Sequence, residues 1–466
     1  MLSLFSRRPT FRHGIHPPES KDATSGLPIR QFPFAPVLVI PLQQHIGRPA
    51  VPLVREGQEV VRGQRIARAD GFVSVALHAP ASGVIERIDL VPSQSGKRVP
   101  GVFLRPFPSS TQEVVEGEPV YADAKPDAIV AAIQEAGIVG LGGAAFPTHV
   151  KLKVPEGKNV DALIVNGVEC EPWLTTDHRV MLEQAADVFM GIRYLRRVAA
   201  PARVIVAIEA NKLDAAEHLR VSRPPDLADV EIAVLPVKYP QGAEKMLITA
   251  LLGREVPSGG LPLDVGALCV NVATTAEIGR LLPHGRGIQE RVITISGPAI
   301  RRQGNYRIPI GTPLRFLLET VGVEDDLSRV FLGGPMMGPS ASTLDVSIVK
   351  GTSGVVAFTE RETGRLHAQP ESPCIRCADC VEACPLGLDP SGLGLLAKRG
   401  EHQRMADELH LMDCFECGAC SYVCPAHIPL VQRFRVAKAA VRRAASTAQA
   451  EAAREGEPRR AEGAAA

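Results

Sequence analysis

Two cysteine runs near the carboxyl end constrain the fold of this 466-residue chain more than any other feature. The first reads CIRCADCVEACP from Cys374, and the second reads CFECGACSYVCP from Cys414. Each has the spacing C-x2-C-x2-C-x3-C-P, in which three closely spaced thiolates bind a cubane iron–sulfur cluster. In two-cluster ferredoxins the fourth thiolate comes from the other run. The spacing therefore predicts two [4Fe-4S] clusters and a role in one-electron transfer.

The predicted ligand sets cross between the two runs. Zinc is an alternative, but it usually takes two cysteine pairs separated by a longer gap. A disulfide framework is the other alternative, and it is more typical of small secreted domains. The first cluster is assigned Cys374, Cys377, Cys380 and Cys424, and the second is assigned Cys414, Cys417, Cys420 and Cys384.

Length and composition narrow the class of protein further. A chain this long exceeds a single hydrophobic core, so roughly three or four domains are expected. The formal net charge is +1 and aromatic residues make up 4%, which gives little support for nucleic-acid binding. The amino terminus lacks the apolar region of a signal peptide, and no apolar stretch approaches the roughly 18 residues of a membrane span. We therefore expect a soluble or peripheral protein in the cytoplasm.

The fold class expected from the pattern is a multidomain α/β protein. Residues 1–30 are predicted to form an extended basic arm. Residues 31–110 contain short β-runs that resemble biotinyl/lipoyl-type barrel-sandwich domains, which carry a modified lysine at a hairpin tip. The matching turn here, Ala69-Asp70-Gly71, has no lysine, so a structural barrel is favoured over a swinging-arm carrier.

Later segments alternate between apolar strands and amphipathic helices, a pattern typical of a parallel α/β sheet. Strands are predicted at 162–165, 204–208, 232–237 and 268–272, and helices at 177–198, 213–219, 244–252 and 274–281. The predicted domains are a parallel α/β domain at 111–290, a small β-grasp domain at 291–365, an α-helical ferredoxin-type 2[4Fe-4S] domain at 366–436, and a partly disordered Ala/Arg/Glu-rich tail at 437–466.

The stretch VGLGGAAFPTHVKL contains a glycine-rich loop. Gly140, Gly142 and Ala145 match the dinucleotide fingerprint G-x-G-x-x-A, which should follow a strand and open a helix. Here the preceding residues indicate a helix, and Pro147 interrupts the helix that should follow, so a Rossmann assignment fails. The free backbone N–H groups of such a loop can instead approach a phosphate and a flat ring. A purely structural loop is the alternative.

Polar side chains follow the next predicted strand, in the segment VNGVECEP. Asn166, Glu169 and Glu171 are expected at the carboxyl edge of a parallel sheet, where open α/β folds bind ligands. Carboxylates there can bind ribose hydroxyls, and an amide can bind the edge of a flavin ring. A solvated loop is the alternative for the two acids.

GLGGAAFPTHVKL followed by NGVECEP resembles the FMN- and NADH-binding subunit of complex I. A closer resemblance is to the C subunit of Rnf/Rsx ion-translocating electron transport complexes. It includes the segments HGIHP, GNYRIPIGTP and GGPMMG and the twin ferredoxin run, and it extends from about Phe11 to Phe434. The chain is identified as a member of that family.

The resemblance implies which residues bind the flavin and the nicotinamide nucleotide. It places Gly140, Gly142, Gly143 and Lys151 at the FMN phosphate and ring, Asn166 and Glu169 at the flavin, and Phe146 and Glu171 at the nucleotide, with Gly242, Glu244, Asn271 and Thr274 as further candidates. The sequence departs from the complex I pattern at Leu141, Ala145, Val168 and Ala243, which bears on the tightness of FMN binding.

The implied function is exchange of hydride with NAD(H) through FMN, followed by single-electron transfer through the two clusters to or from membrane-bound partner subunits and ferredoxin or flavodoxin. No catalytic acid or base is assigned, because hydride transfer needs none. Two alternatives stay open: an iron–sulfur relay and docking subunit without flavin, and the flavoprotein subunit of a soluble NAD-linked dehydrogenase.

Overall fold

The computed structural model describes residues 9–94, 96–367 and 370–455. Their contacts divide them into two compact units. The first comprises residues 9–11 and 16–367, and the second comprises residues 12–15 and 370–455. The first contains three sheet-based domains, and the second is helical.

The amino-terminal domain is built from two small antiparallel sheets. Alternate apolar side chains of both sheets, such as Leu38, Ile66 and Ile85, form one buried core between them. The predicted barrel-sandwich architecture agrees with this arrangement. The segment contains α1 (Asp22–Ser25), β1 (Ile29–Gln31), β2 (Leu38–Pro41), β3 (Val51–Pro52), β4 (Glu59–Val60), β5 (Arg65–Arg68), β6 (Leu77–His78), β7 (Gly83–Pro92) and β8 (Arg98–Pro106), with sheet orders β2-β8-β7-β4 and β3-β5-β6.

The second domain has the predicted parallel sheet covered by helices. Its strand order is β11-β10-β9-β12, so the chain moves outward from β9 and then returns to its other side. The carboxyl ends of β9 and β12 therefore lie at a topological switch point, the usual ligand crevice of such folds. The elements are α2 (Pro126–Glu135), α3 (Thr148–Leu152), β9 (Ala162–Gly167), α4 (Thr176–Glu183), α5 (Ala185–Ala199), β10 (Arg203–Glu209), α6 (Leu213–Ser222), β11 (Glu231–Leu235), α7 (Glu244–Leu252), β12 (Ala267–Asn271) and α8 (Val272–Leu281), with short 3₁₀ turns at Pro225–Leu227, Pro262–Val265 and Leu282–His284.

Two sequence predictions in this domain were wrong in detail. The single helix expected over 177–198 is two helices, because Gln184 between them has φ −128° and ψ 30°, which is not helical. The strand expected to reach Val272 ends at Asn271, since the Asn271 side chain accepts a hydrogen bond from Thr274 N and caps α8. Both the split and the cap depend on local hydrogen bonding that apolar periodicity does not reveal.

The third domain is a five-stranded sheet with the order β1-β14-β13-β16-β15. Its core is formed by apolar residues of the strands and of one amphipathic helix, including Ile293, Leu317 and Val355. The predicted strand–strand–helix–strand unit is present and gains two further strands. Its elements are β13 (Glu290–Ser296), β14 (Gly304–Pro309), α9 (Leu314–Val321), β15 (Leu327–Leu332), β16 (Gly354–Thr359) and α10 (Glu360–His367).

The prediction of an extended arm over residues 1–30 needs correction where the structure describes it. Strand β1 pairs in parallel with β14, from Ile29 opposite Asn305 to Gln31 opposite Arg307. Lys21 is buried, and its ammonium donates to three backbone carbonyls of the segment after β9. Residues 9–11 and 16–30 of the arm therefore belong to the first unit, whereas residues 12–15 belong to the second. Residues 1–8 lie outside the described residues.

The second unit is a small helical domain around the two cysteine runs. Leu393, Met405 and Phe434 lie at the centre of its core. Its elements are α11 (Asp379–Ala383), α12 (Pro390–Lys398), α13 (His402–Asp407), a 3₁₀ turn at Leu411–Asp413, α14 (Ala419–Tyr422) and α15 (Leu430–Glu455).

The predicted tail begins inside α15. Ala437 and Lys438 are buried there, so the first residues of the predicted tail belong to the domain core. Residues 456–466, the end of the predicted tail, lie outside the described residues. No helix in the described part of the chain is long and apolar enough to cross a membrane.

Candidate functional site

The glycine loop between α2 and α3 is closed by its own backbone. Gly140 N donates to Phe146 O at 2.8 Å, and Ala145 N donates to Gly140 O at 3.2 Å. Gly143 has φ +109°, a value that other residues rarely adopt. A Cβ added to Gly143 would meet no heavy atom within 4 Å, so any side chain there would enter open space above the loop. No other atom of the described residues therefore covers the outer surface of the loop at Gly143.

The loop is fastened to the junction of β12 and α8 at the switch point. Leu141 N donates to Thr274 Oγ1 at 2.8 Å, and Gly142 is so close to Asn271 that an added Cβ would lie 3.3 Å from its amide nitrogen. Asn271 also donates to Asp177 Oδ2 at 2.8 Å. The predicted residues Asn271 and Thr274 thus set the position of the glycine loop.

A salt bridge joins α3, the short helix that follows the glycine loop, to the start of α7. Lys151 Nζ lies 2.5 Å from Glu244 Oε1. Burial lowers the pKa of Lys151, but Glu244 and Cys269 outweigh this effect, so the pKa is raised and the ammonium stays charged. A charged amine that follows a glycine loop in the chain is suited to an anionic group such as a phosphate.

Gly242 packs against the end of β9 without room for a side chain. An added Cβ would lie 2.2 Å from Val168 O, and Gly242 O accepts a hydrogen bond from Asn166 Nδ2 at 2.9 Å. Gly242 N donates to Cys170 Sγ at 3.3 Å. The predicted Asn166 and Gly242 are therefore in direct contact, one strand away from the glycine loop.

Glu169 has a different set of partners from the other predicted residues. Its carboxylate accepts hydrogen bonds from Asp177 N at 2.9 Å and His178 N at 3.4 Å, at the first turn of α4. A carboxylate at a helix amino terminus satisfies free N–H groups and interacts favourably with the helix dipole. The structure thus gives Glu169 a role in fixing α4, beside its predicted role at the flavin.

Glu171 lies at a cavity of about 600 Å³, a volume within the usual range of ligand pockets. Its carboxylate accepts hydrogen bonds from Met336 N at 3.1 Å and Met337 N at 2.8 Å. Burial raises the pKa of Glu171 to about 7, against the opposing effect of these two N–H groups. Of the predicted cofactor residues, Gly142, Gly143 and Glu171 line this cavity.

The sequence analysis missed the charged residues that support the loop from behind. The buried Arg291 guanidinium donates to Leu141 O, and Asp177 accepts from Asn271. Burial raises the pKa of Asp177 to about 7, with Glu169 as a further cause. Arg291 was detectable in principle, because its charge lies within the predicted strand RVITIS, whereas no sequence pattern singles out Asp177.

In the second unit, four of the cysteines line one cavity of about 540 Å³. These are Cys374, Cys377, Cys380 and Cys424, the predicted ligands of the first cluster. Cys384 is not among the residues that line it. None of the cysteines in the described residues forms a disulfide. Four unpaired thiols from both runs around one cavity fit the donor set of a cubane.

Cys384 lies instead among the cysteines of the second run. Burial raises the pKa of Cys417 to about 12, and the charges of Cys414 and Cys384 contribute to the rise. Cys384 acts in the same direction on Cys414 and Cys420. In the described part of the chain, no group of three or more His, Cys, Asp or Glu side chains is placed to hold a metal ion. The division of the eight thiols between two clusters therefore stays a prediction.

Four family models match successive parts of the chain. They are the RnfC barrel sandwich hybrid domain at residues 9–106, the Nuo51 FMN-binding domain at 133–280, the SLBB domain at 292–340 and the 4Fe-4S dicluster domain at 358–428.

Relatives that match over most of the chain indicate the same family as the first of these models. The C subunit of the proton-translocating ferredoxin:NAD(+) oxidoreductase complex of Clostridium ljungdahlii is 41% identical, over 87% of this chain and 88% of its own length. The C subunit of the Na(+)-translocating ferredoxin:NAD(+) oxidoreductase complex of Acetobacterium woodii is 40% identical, over 92% of this chain and 96% of its own. Among solved structures, the NAD+-reducing [NiFe]-hydrogenase in its H2-reduced state matches with a TM-score of 0.49 and 20% identity, over 70% of this chain and 67% of that one.

Proposed function

Because the chain belongs to the family of C subunits of ion-translocating ferredoxin:NAD(+) oxidoreductase complexes, we propose that it is the subunit at which electrons are exchanged with NAD(H). It exchanges hydride through FMN and passes single electrons through two [4Fe-4S] clusters to or from its partners. The observation that carries this proposal is one chain with two features: a glycine loop beside a ligand-sized cavity, and two cysteine runs whose first predicted ligand set lines a second cavity.

The flavin site is formed by the glycine loop and the switch-point residues. Bound FMN supplies the conversion between a two-electron hydride and one-electron carriers. Lys151 provides the positive charge for its phosphate, and the N–H groups of Gly142 and Gly143 bind the phosphate and approach the ring. Gly140 lines the same site, while its own N–H donates to Phe146 O and closes the loop. Asn166, Glu169, Gly242, Glu244, Asn271 and Thr274 complete the site or fix its position.

The nicotinamide nucleotide enters the cavity beside the loop. Glu171, which lines the cavity, binds a ribose hydroxyl. Phe146 is half-buried in the loop and is not part of the cavity lining, and the family resemblance assigns it to the nicotinamide side. No general acid or base is required. His149 contacts Phe72 O at 2.7 Å, and His178 contacts Asp214 at 3.0 Å, so each histidine has a structural partner.

Each cluster takes three thiolates from one run and one from the other. Cys374, Cys377, Cys380 and Cys424 bind the first, and Cys414, Cys417, Cys420 and Cys384 bind the second. Thiolates from both runs tie α11 and α14 together, so cluster binding also stabilises this small domain.

The partners follow from the family. The chain acts as a peripheral subunit on the cytoplasmic face of a bacterial inner membrane, docked to membrane-embedded subunits, with ferredoxin or flavodoxin as the more distant electron carrier. The predicted domain limits at residues 30, 110, 290, 365 and 436 are part of this proposal.

Affinity purification from the native membrane tests the assignment against its two rivals. We expect a tagged chain to be isolated with FMN, about eight iron atoms and hydrophobic partner subunits. A soluble dehydrogenase subunit would be isolated with hydrophilic partners only. A relay subunit would carry iron and membrane partners, yet fail to retain FMN when the flavin is supplied in excess.

A further inference from the structure

The nucleotide cavity has a wall that belongs to the barrel-sandwich domain. One part of this wall follows β2, and the other is the turn between β7 and β8, at Ser93, Gln94 and Lys97. The opposite lining comes from the glycine loop and from residues 332–339 of the third domain. The wall residues after β2 are Pro41, Gln43, Gln44 and His45.

Hydrogen bonds hold this wall in place. Gln94 Nε2 donates to Thr352 Oγ1 at 2.8 Å and to Ser347 O at 3.3 Å. Gln44 Oε1 accepts from Lys350 N at 3.1 Å. Both glutamines therefore bind the segment that leads into β16, and this links the barrel to the third domain.

The same segment touches the glycine loop. Gly351 packs so closely that an added Cβ would lie 2.8 Å from Ala145 Cβ. The buried Lys350 ammonium donates to Ala76 O of the barrel at 2.8 Å and to Gly137 O, just before the loop, at 2.6 Å. The barrel, the segment 347–352 and the glycine loop are thus in continuous contact, and the barrel is a fixed part of the cavity.

The charges of the lining differ between its two sides. Among the described lining residues, Lys97 is the one cationic side chain and Glu171 is the one carboxylate. A nicotinamide dinucleotide has hydroxyls that suit a carboxylate and a doubly charged pyrophosphate that suits a lysine. A lysine at the exposed rim attracts such a ligand mainly through screened Coulomb forces.

The geometry points to the barrel-sandwich domain as the outer wall of the dinucleotide site, with Lys97 as the residue that binds the phosphates of NAD(H). This inference rests on the proposed function and adds a specificity residue from a domain without an assigned role at the site. It also gives a function to a barrel whose Ala69-Asp70-Gly71 turn has no lysine to modify, since the domain closes the site instead of acting as a swinging-arm carrier.

The test compares Lys97→Glu with Arg98→Glu in the full chain loaded with FMN and clusters. Arg98 is the matched control, because it is the adjacent exposed cation, it donates to Leu90 O, and it does not line the cavity. Flavin reduction is followed with NADH and with 1-benzyl-1,4-dihydronicotinamide, a hydride donor that has no phosphate. Lys97→Gln is the milder variant that guards against misfolding.

We expect Lys97→Glu to raise the KM for NADH by about three- to tenfold, with an unchanged kcat and a difference that shrinks at high salt. Lys97→Gln should give a smaller rise, and the benzyl donor and Arg98→Glu should behave as in the unmodified protein. Equal KM values for NADH in Lys97→Glu and the unmodified chain would overturn the inference and leave the proposed function intact. Failure of NADH to reduce the unmodified chain would overturn both.

Discussion

Gly143 combines a positive φ, which favours glycine, with open space on the side of the loop that is assigned to the ligand. Replacement by valine adds a side chain in the open space above the loop, at a positive φ that valine resists. We expect Gly143→Val to weaken FMN binding at least about tenfold, measured by fluorescence titration. The matched control is Gly157→Val, also at positive φ with open space but in another turn. Equal loss of FMN in both variants would mean that backbone strain, and not occupied ligand space, is the cause.

Lys151 tests the assignment of the phosphate. Lys151→Gln removes the cation and leaves Glu244 without its partner, so a nearby phosphate loses an attraction and meets a carboxylate. We expect FMN affinity to fall about 10- to 100-fold, and riboflavin, which has no phosphate, to bind as before. The control is Lys158→Gln, because Lys158 forms an exposed pair with Asp264 in a separate turn. A parallel loss of FMN and riboflavin would contradict the assignment.

Glu171 and Asp177 should make stability depend on pH. Burial raises the pKa of each carboxyl to about 7, above its value in the unfolded chain. Between the unfolded and folded pKa values the folded state binds more protons, so stability falls as pH rises toward about 7 and is flat above it. We expect Glu171→Gln to reduce the slope of the unfolding midpoint between pH 6 and pH 7.

The control for this slope is Glu56→Gln, which changes an exposed carboxylate in the barrel. Its slope should match that of the unmodified protein. An unchanged slope in Glu171→Gln would show that the carboxyl of Glu171 does not titrate in this range.

For individual residues, the sequence predicts the region of the sheet at which the candidates lie better than it predicts the groups that they contact. The twelve candidates belong to segments that meet at one edge of the sheet, because parallel strands place their carboxyl ends together. The sequence did not reveal that Glu169 contacts the first turn of α4, or that Arg291 supports the loop. Such contacts join residues that are distant in the chain and carry no periodic signal.

Among the elements, the amino-terminal arm departs most from its prediction. Lys21→Met would leave three carbonyls of the segment after β9, two buried and one part-buried, without their donor. Each unsatisfied buried group costs about 1–3 kcal/mol. We expect the unfolding midpoint of the first unit to fall by roughly 4–8 °C, followed by circular dichroism. The control is Lys125→Met, which changes an exposed lysine. If the unfolding midpoint of Lys21→Met were as high as that of the control, the arm would add no stability.

The two cysteine runs allow a test of crossed ligation. If Cys384 belongs with the second run, Cys374→Ser/Cys384→Ser damages both clusters, whereas Cys384→Ser/Cys414→Ser damages one. We therefore expect little bound iron in the first double variant and about four iron atoms in the second, by iron analysis and electron paramagnetic resonance. The reverse pattern would mean that each run binds its own cluster with four thiolates.

The elements themselves were largely predictable from apolar periodicity. The helix at Glu244–Leu252 and the four parallel strands agree with the expected segments to within a few residues. The addition of β1 to the sheet of the third domain was not predictable, because three residues in a polar arm give no strand signal and their partner lies far along the chain.

At the scale of the whole molecule, the domains have separate tasks in one electron path. The α/β domain positions the glycine loop, the barrel and the third domain enclose the cavity beside it, and the helical unit brings the eight thiols together. The motifs and the family resemblance predicted this division of labour. They could not predict the barrel's part in the cavity, since it depends on hydrogen bonds from Gln44 and Gln94 to another domain.

The central claim is that NADH reduces the clusters of this chain through FMN, and anaerobic stopped-flow absorbance of the reconstituted protein tests it directly. We predict that NADH bleaches the flavin first and the clusters next in FMN-loaded protein. In FMN-free protein NADH should leave the clusters oxidised, although dithionite reduces them. Cluster reduction by NADH without FMN, or flavin reduction that never reaches the clusters, would contradict the account.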